Sequence, residues 1–310
     1  MEYRQLGRSG LKVSVIGVGG NTFGAPCDEQ QTAAVLHAAF EAGINTVDTA
    51  DIYSRGVSEQ FVGKAIAEHR RDWVLMTKFA MAMGEGPNNS GASRGYIRKA
   101  VEASLRRLGT DYIDVYQVHQ PDMTTPAEET MAALHELVTA GMVRYIGCSN
   151  YAGWQIAEAN LVAERYGWTP FVSSQPRYNV IDRAVEAEHV PACNRFGLGL
   201  IPWSPLAGGF LTGKHRRNEP PVAGSRMERS QWARSVLNDR NWDRLEALER
   251  IAQQRGISMT ELAIGWLTAQ PVNGTIICGA TSAEQVRENA RAGEVRLSAE
   301  DVAAIDEAVR

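Results

Sequence analysis

Short apolar runs alternate along the chain with longer amphipathic stretches, and no segment recurs at a fixed sequence period. Eight runs have the length and composition of strands: Val15–Val18, Thr46–Asp48, Trp73–Lys78, Ile113–His119, Tyr145–Ser149, Phe171–Gln175, Leu198–Pro202 and Thr275–Gly279. Between them the pattern predicts helices with recognisable starts: Asp28 before a stretch to Ala42, Ser58 before one to Ala67, and Ser93 before one to Leu108. Thr125-Pro126-Ala127-Glu128 reads as a capping-box-like start with proline at the first helical position, and a last helix runs from Ser298 to Val309. Gly43, Gly109 and Gly141 suit left-handed helix ends. Strands alternating with helices of this length pair in parallel through right-handed crossovers.

Such a pattern fits either an open doubly wound sheet or a closed barrel. The open dinucleotide fold calls for Gly-x-Gly-x-x-Gly between the first strand and first helix. Here Gly17-Val18-Gly19-Gly20-Asn21-Thr22 ends in threonine, and the helix begins only near Asp28. Eight strand-helix units in this chain average about 39 residues, against roughly 31 for a compact eight-unit barrel, which leaves room for long loops. The expected fold is therefore a single (β/α)8 TIM barrel spanning 1–310, with a short hairpin, Tyr3–Leu6 and Leu11–Val13, closing its bottom. The long loops, Phe79–Gly91 and Leu206 to about Asn241, both follow strand C-termini, where barrel enzymes build their sites.

Composition narrows the partners. The chain has 310 residues, 44% hydrophobic and 22% charged, which fits a globular protein. Its 32 basic and 36 acidic residues leave a formal charge of -4, and the basic run Lys214-His215-Arg216-Arg217 is short, so no nucleic-acid footprint is expected. The N-terminal residues lack the pattern of a signal peptide and no apolar run is long enough for a membrane span, giving the expectation of a soluble, cytoplasmic protein. Cys27, Cys148, Cys193 and Cys278 are scattered without metal-ligand spacing, so neither a disulfide scaffold nor a metal site is expected.

Ionisable residues at the ends of barrel strands need a reason, because such strands are otherwise apolar. Asp48, Tyr53, Lys78 and His119 all fall at or just beyond the ends of the second, third and fourth strands and would converge on one rim. Singly, each has an ordinary structural explanation as a cap, packing group or polar core residue. Jointly, a lysine beside a tyrosine lowers the phenol pKa, an aspartate holds that lysine charged, and a histidine orients a carbonyl. The set is suited to protonating an oxygen while hydride reaches the adjacent carbon.

The sequence resembles the aldo-keto reductase superfamily over essentially its whole length. The matching segments include Tyr3-Arg4-Gln5-Leu6-Gly7, Gly43 to Tyr53, Ser104 to Asp114, Val118-His119-Gln120-Pro121-Asp122, Gly141 to Asn150 and Trp203-Ser204-Pro205-Leu206. The resemblance implies an NADP-dependent reduction of an aldehyde or ketone, with Tyr53 as general acid/base, Lys78 tuning it, Asp48 pairing with Lys78 and His119 orienting the carbonyl. It also implies NADPH/NADP+ as cofactor. Ser149, Asn150 and Gln175 would hold the carboxamide, and Trp203 would stack on the nicotinamide. Gly20, Asn21 and Asp48 would also lie at the cofactor, and Ser204, Pro205, Leu206, Gly208 and Lys214 would surround the pyrophosphate. Gly279, Thr281, Gln285, Glu288 and Asn289 would hold the adenosine, with Arg226 on the 2′-phosphate. Thr22, Phe23 and Trp232, with Tyr53 and His119, would wall a pocket for a small-molecule carbonyl substrate; a homo-oligomer is left open.

Two other classes compete. The segments around Trp203 and the adenosine end also resemble potassium-channel β subunits, nicotinamide-binding proteins that act chiefly as channel partners; His119, and the lack of residues ahead of the Tyr3 segment, favour the reductase reading. A hydrolase or lyase would want a metal-ligand cluster or paired carboxylates at the rim. Asp51 beside Asp48 is the only close carboxylate pair, and solvation or helix entry accounts for Asp51.

Overall fold

The structure is a computed structural model and describes residues 1–310. β1 (Tyr3–Gln5) and β2 (Lys12–Ser14) form an antiparallel hairpin with Arg4 opposite Val13. Eight further strands are all parallel: β3 (Ile16–Gly19), β4 (Thr46–Asp48), β5 (Val74–Phe79), β6 (Ile113–Val118), β7 (Val143–Ser149), β8 (Phe171–Gln175), β9 (Gly199–Leu200) and β10 (Ile276–Gly279). They run β10-β3-β4-β5-β6-β7-β8-β9. β9 and β10 are joined only by isolated bridges, Leu200 to Asn273 and Trp203 to Ile277, carried by hydrogen bonds such as Ile277 N to Pro202 O at 3.0 Å. The result is the expected (β/α)8 barrel, curled until its first and last strands meet.

Helices cover the outside: α1 (Glu29–Glu41), α2 (Val57–Ile66), α3 (Arg94–Leu108), α4 (Ala127–Thr139), α5 (Gly153–Tyr166) and α6 (His189–Phe196). After β9 come two single turns, α7 (Arg226–Arg229) and α8 (Gln231–Arg234), then α9 (Asp239–Arg255), α10 (Met259–Thr268), α11 (Ala283–Ala292) and α12 (Ala299–Ala308). The seventh loop therefore contains short helical turns, including a 3-10 segment at Ala207–Thr212. No helix is long and apolar enough to cross a membrane. The four cysteines are buried free thiols.

Two apolar cores follow from strand alternation. The larger lies between barrel and helices; the smaller fills the barrel with Val74, Met76, Val115, Ile201 and Ile277. Leu6 and Val13, both fully buried, belong to that inner core, so the hairpin closes the bottom as expected.

Two helix starts differ from the sequence reading. Ser58 does not cap α2, which begins one residue earlier behind Gly56 at φ 91°; the Ser58 hydroxyl is instead shared with Thr49 at 2.7 Å and Gly20 O at 2.8 Å. Pro126 is the N-cap of α4 rather than its first helical residue, and the Thr125 hydroxyl donates to Asp122 at 2.7 Å. In both cases another hydrogen bond takes the hydroxyl that a cap would have used, a tertiary one for Ser58 and a local one within the turn for Thr125. Asp28 and Ser93 do cap their helices.

Candidate active site

Alternation along β5 places Lys78 on the same inward row as Val74 and Met76, and along β6 it places Gln117 on the row of Val115. Lys78 and Gln117 are direct partners in the ladder between these strands. Asp48 ends β4, the strand paired with β5 on its other side, and the Lys78 ammonium reaches its Oδ2 at 2.6 Å. Lys78 also donates to Thr49 O at 2.8 Å. Lys78 is wholly buried and Asp48 is 2% exposed, so neither charge tolerates loss of the other.

The remaining Asp48 oxygen accepts two amides, Gln117 Nε2 at 3.1 Å and Gln175 Nε2 at 3.0 Å. Tyr53 follows at the start of a 3-10 turn, its ring centroid 5.1 Å from Lys78 Nζ and 5.7 Å from the His119 ring, which it meets edge-on. The geometry thus brings Asp48, Tyr53, Lys78 and His119 together at the C-terminal rim.

Burial raises the Tyr53 phenol above its ordinary value; Lys78 and Arg226 pull it down and Asp48 pushes it up, so the lowering expected from Lys78 is present but outweighed. For Lys78, burial opposes the charge, but Asp48 and Tyr53 more than offset it and raise the ammonium. His119 is pushed down to about 3, first by burial and then by Lys78, so it is a neutral imidazole at ordinary pH. Its buried Nδ1 has no hydrogen-bond partner in the protein.

Asp51 differs most from its sequence reading. It is 1% exposed, both carboxylate oxygens lack a partner, and burial, helped by Glu59, raises it to about 7. Solvation does not account for it.

The positions expected around a cofactor form an arc along the rim. Ser149 Oγ donates to Gln175 O at 2.8 Å, Asn150 Nδ2 donates to His119 O and Ser149 Oγ, both at 3.0 Å, and Trp203 Nε1 donates to Asn150 Oδ1 at 3.2 Å. The last bond fixes the indole plane. Ser204 accepts Gly208 N at 3.2 Å, turning the chain after Pro205 and Leu206 into the left-handed glycines of the loop, and Lys214 is exposed without a carboxylate partner. Gly20 lies under Ser58, and Asn21 lies near Gly279. At the opening of α11, Thr281 N and Oγ1 both donate to Gln285 Oε1 at 2.8 and 3.2 Å; Glu288 is exposed and Asn289 buried.

The expected substrate wall is split. Trp232 stands at the mouth, 39% exposed, its ring 5.7 Å from that of Trp203. Phe23 is fully buried in the outer core and Thr22 donates to Ala280 O at 3.0 Å, so these two brace the loop after β3 from within. Arg226 packs its guanidinium 5.4 Å from the Trp232 ring, and its charge is felt at Tyr53. Gln117 was not among the sequence candidates. Its signal was available: it precedes His119 by two residues, so the strand period puts both on one face.

The sequence model of the Aldo/keto reductase family matches residues 15–310. The chain belongs to the aldo/keto reductase family. Among its relatives, a probable voltage-gated potassium channel subunit beta from Oryza sativa subsp. japonica is 40% identical, over 95% of this chain and 92% of that protein. A versiconal hemiacetal acetate reductase from Aspergillus parasiticus is 35% identical, over 99% of this chain and 96% of that protein. An uncharacterized oxidoreductase from Bacillus subtilis (strain 168) is 36% identical, over 97% and 93%. Aldo/keto reductases generally use a nicotinamide cofactor, and the absence of a glycine fingerprint after β3 is consistent with their barrel. No group of three or more His, Cys, Asp or Glu side chains is placed to hold a metal ion.

Proposed function

We propose that the protein is an NADP-dependent reductase of an aldehyde or ketone, with Tyr53 donating the proton. The observation that carries this reading is a phenol set between a buried ammonium and a neutral imidazole at the mouth of the barrel. The residues along the arc fit a dinucleotide. Gln175 Oε1 keeps no protein partner although its amide nitrogen is engaged, the Trp203 indole is held in one plane, and the loop of Gly208 and Gly209 keeps backbone open beside Lys214.

When bound, the nicotinamide supplies the hydride. Tyr53 Oη holds the proton and passes it to the substrate oxygen as negative charge develops there. Lys78, fixed by Asp48 and Thr49 O, then stabilises the tyrosinate left behind. His119 bears no charge, so it orients the carbonyl through hydrogen bonding without competing for the proton. The raised phenol keeps Tyr53 protonated at neutral pH, the state a reduction needs.

Tyr53→Phe should lower turnover by about two to four orders of magnitude while cofactor affinity stays near that of the wild type. Near-normal turnover, followed by NADPH absorbance against aldehydes, ketosteroids, keto sugars and quinones, would remove the mechanism. Lys214 and Arg226 are assigned to the cofactor phosphates, including the 2′-phosphate. Equal affinity for NADH and NADPH sinks that assignment. A second reading, a nicotinamide-binding channel subunit, rests on the name of the rice relative. Oxidation of NADPH by no carbonyl in the panel would favour it.

A further inference from the structure

The structure assigns Gln117 as a positioning residue for Asp48, a role that rests on the reductase reading of the Asp48–Lys78–Tyr53 set. A carboxylate has lone pairs on both oxygens, and a buried one needs donors for each. Lys78 takes Oδ2 of Asp48 at 2.6 Å. Were Oδ1 unmatched, the carboxylate could rotate and draw the ammonium away from Tyr53. Gln117 Nε2 at 3.1 Å and Gln175 Nε2 at 3.0 Å prevent that by fixing the plane of the carboxylate.

The two glutamines are not equivalent. Gln175 ends β8, where the rim opens, and its amide is proposed to face the cofactor as well. Gln117 lies wholly inside the barrel, paired in the ladders with Lys78 on one side and Gly147 on the other. A Cβ at position 147 would come within 2.4 Å of Ser173 Oγ and 3.4 Å of Gln117 Cγ, so glycine there leaves the room in which the Gln117 side chain turns toward Asp48. Gln117 Oε1 in turn accepts Gln175 Nε2 at 3.4 Å, linking the interior donor to the rim. Gln117 is therefore the donor to Oδ1 that has no duty outside the barrel. As a neutral amide it orients the carboxylate without adding charge.

The test compares Gln117→Leu with Gln117→Glu in the full-length protein. The leucine variant removes the donor at every pH, and kcat should fall about tenfold with cofactor Kd within about twofold of wild type. The glutamate variant donates to Asp48 only while its own carboxyl is protonated. It should approach wild-type kcat at low pH and lose it as that carboxyl ionises, adding a pH break the wild type lacks. A pH-independent loss in both variants would mark a structural role and overturn the assignment, as would unchanged kcat in the leucine variant. Tyrosinate absorbance, taken as the difference from the matching Tyr53→Phe protein, provides a readout without turnover. Gln117→Glu should move the Tyr53 titration upward, because a second carboxylate beside Asp48 disfavours the phenolate. An unmoved titration also overturns the proposal. If the wild type turns over no carbonyl, the reductase reading fails by itself, and the same absorbance titration of Gln117→Leu, which adds no charge, decides Gln117: a Tyr53 titration identical to the wild type's overturns the assignment.

Discussion

The two ends of the barrel make their left-handed turns differently. At the bottom, where helices return to strands, glycine serves: Gly43, Gly109, Gly141, Gly167 and Gly197 all have φ between 62° and 77°. At the rim the same region of backbone space also holds Ser54, Arg55, Ala80, Asn150, Ser204 and Ala207. A non-glycine residue there costs about 1–2 kcal/mol. Two of these residues follow Tyr53 directly, Asn150 bonds to His119 and Trp203, and Ser204 follows Trp203. The bottom is built for stability, whereas the rim retains strained side-chain-bearing turns where the candidate chemistry is held.

That contrast can be broken in graded steps. Lys78→Met, at the rim, should cost about 3–5 kcal/mol of stability as well as activity, because it strands the Asp48 carboxylate in the barrel. Denaturant unfolding checks the size; a stable Lys78→Met protein would show that the buried pair is dispensable to the fold. Asp51 comes next. Its folded value of about 7 lies above its ordinary 3.8, so the folded state holds a proton that the unfolded chain releases. Stability is therefore lost as pH rises from about 4 to about 7, by a few kcal/mol, and is level above that. Asp51→Asn should flatten this slope in urea midpoints measured across the range.

A bottom substitution has a smaller effect. Gly167→Ala meets no atom within 4 Å, so only the backbone objects, costing roughly 1 kcal/mol while kcat stays unchanged. Arg55→Gly, at the rim, should gain about 0.5 kcal/mol, since relief of the left-handed strain exceeds the extra entropy lost by glycine. A loss of stability there would mean that Arg55 makes a compensating contact.

Local signals in the sequence were enough to locate the strands, because each barrel strand is a short apolar run and most glycine stops fall where a helix ends. Ser58 misled because its hydroxyl bonds across the fold to Gly20, which no local pattern encodes, whereas the Thr125 hydroxyl turns back three residues to Asp122, a local competitor for the cap. The four rim residues were legible as ionisable groups at or just beyond strand ends, but Asp51 was misread because its burial is tertiary, beside Glu59 of α2 and Arg107 of α3. Gln117 was overlooked since an amide is chemically unremarkable until its partner is a buried carboxylate. Phe23, an aromatic in a rim loop, points into the outer core, and sequence position alone could not distinguish that from a pocket wall.

The meeting of β9 and β10 has a mechanical consequence. Every other neighbouring pair in the barrel is joined by a ladder, that of β7 and β8 with a register shift at Ile146/Gly147, but here the ring is closed by scattered bridges, one of them at Trp203. Backbone hydrogen bonds from Leu200 to Val272, Gly274 to Leu200 and Ile277 to Pro202 hold this joint, and it lies beside Trp203, where the loop proposed for the cofactor phosphates begins. A dinucleotide bound as proposed, against Trp203 on one side and Gly279 on the other, would act as a clasp across it, so part of its binding energy would go into holding the cylinder shut.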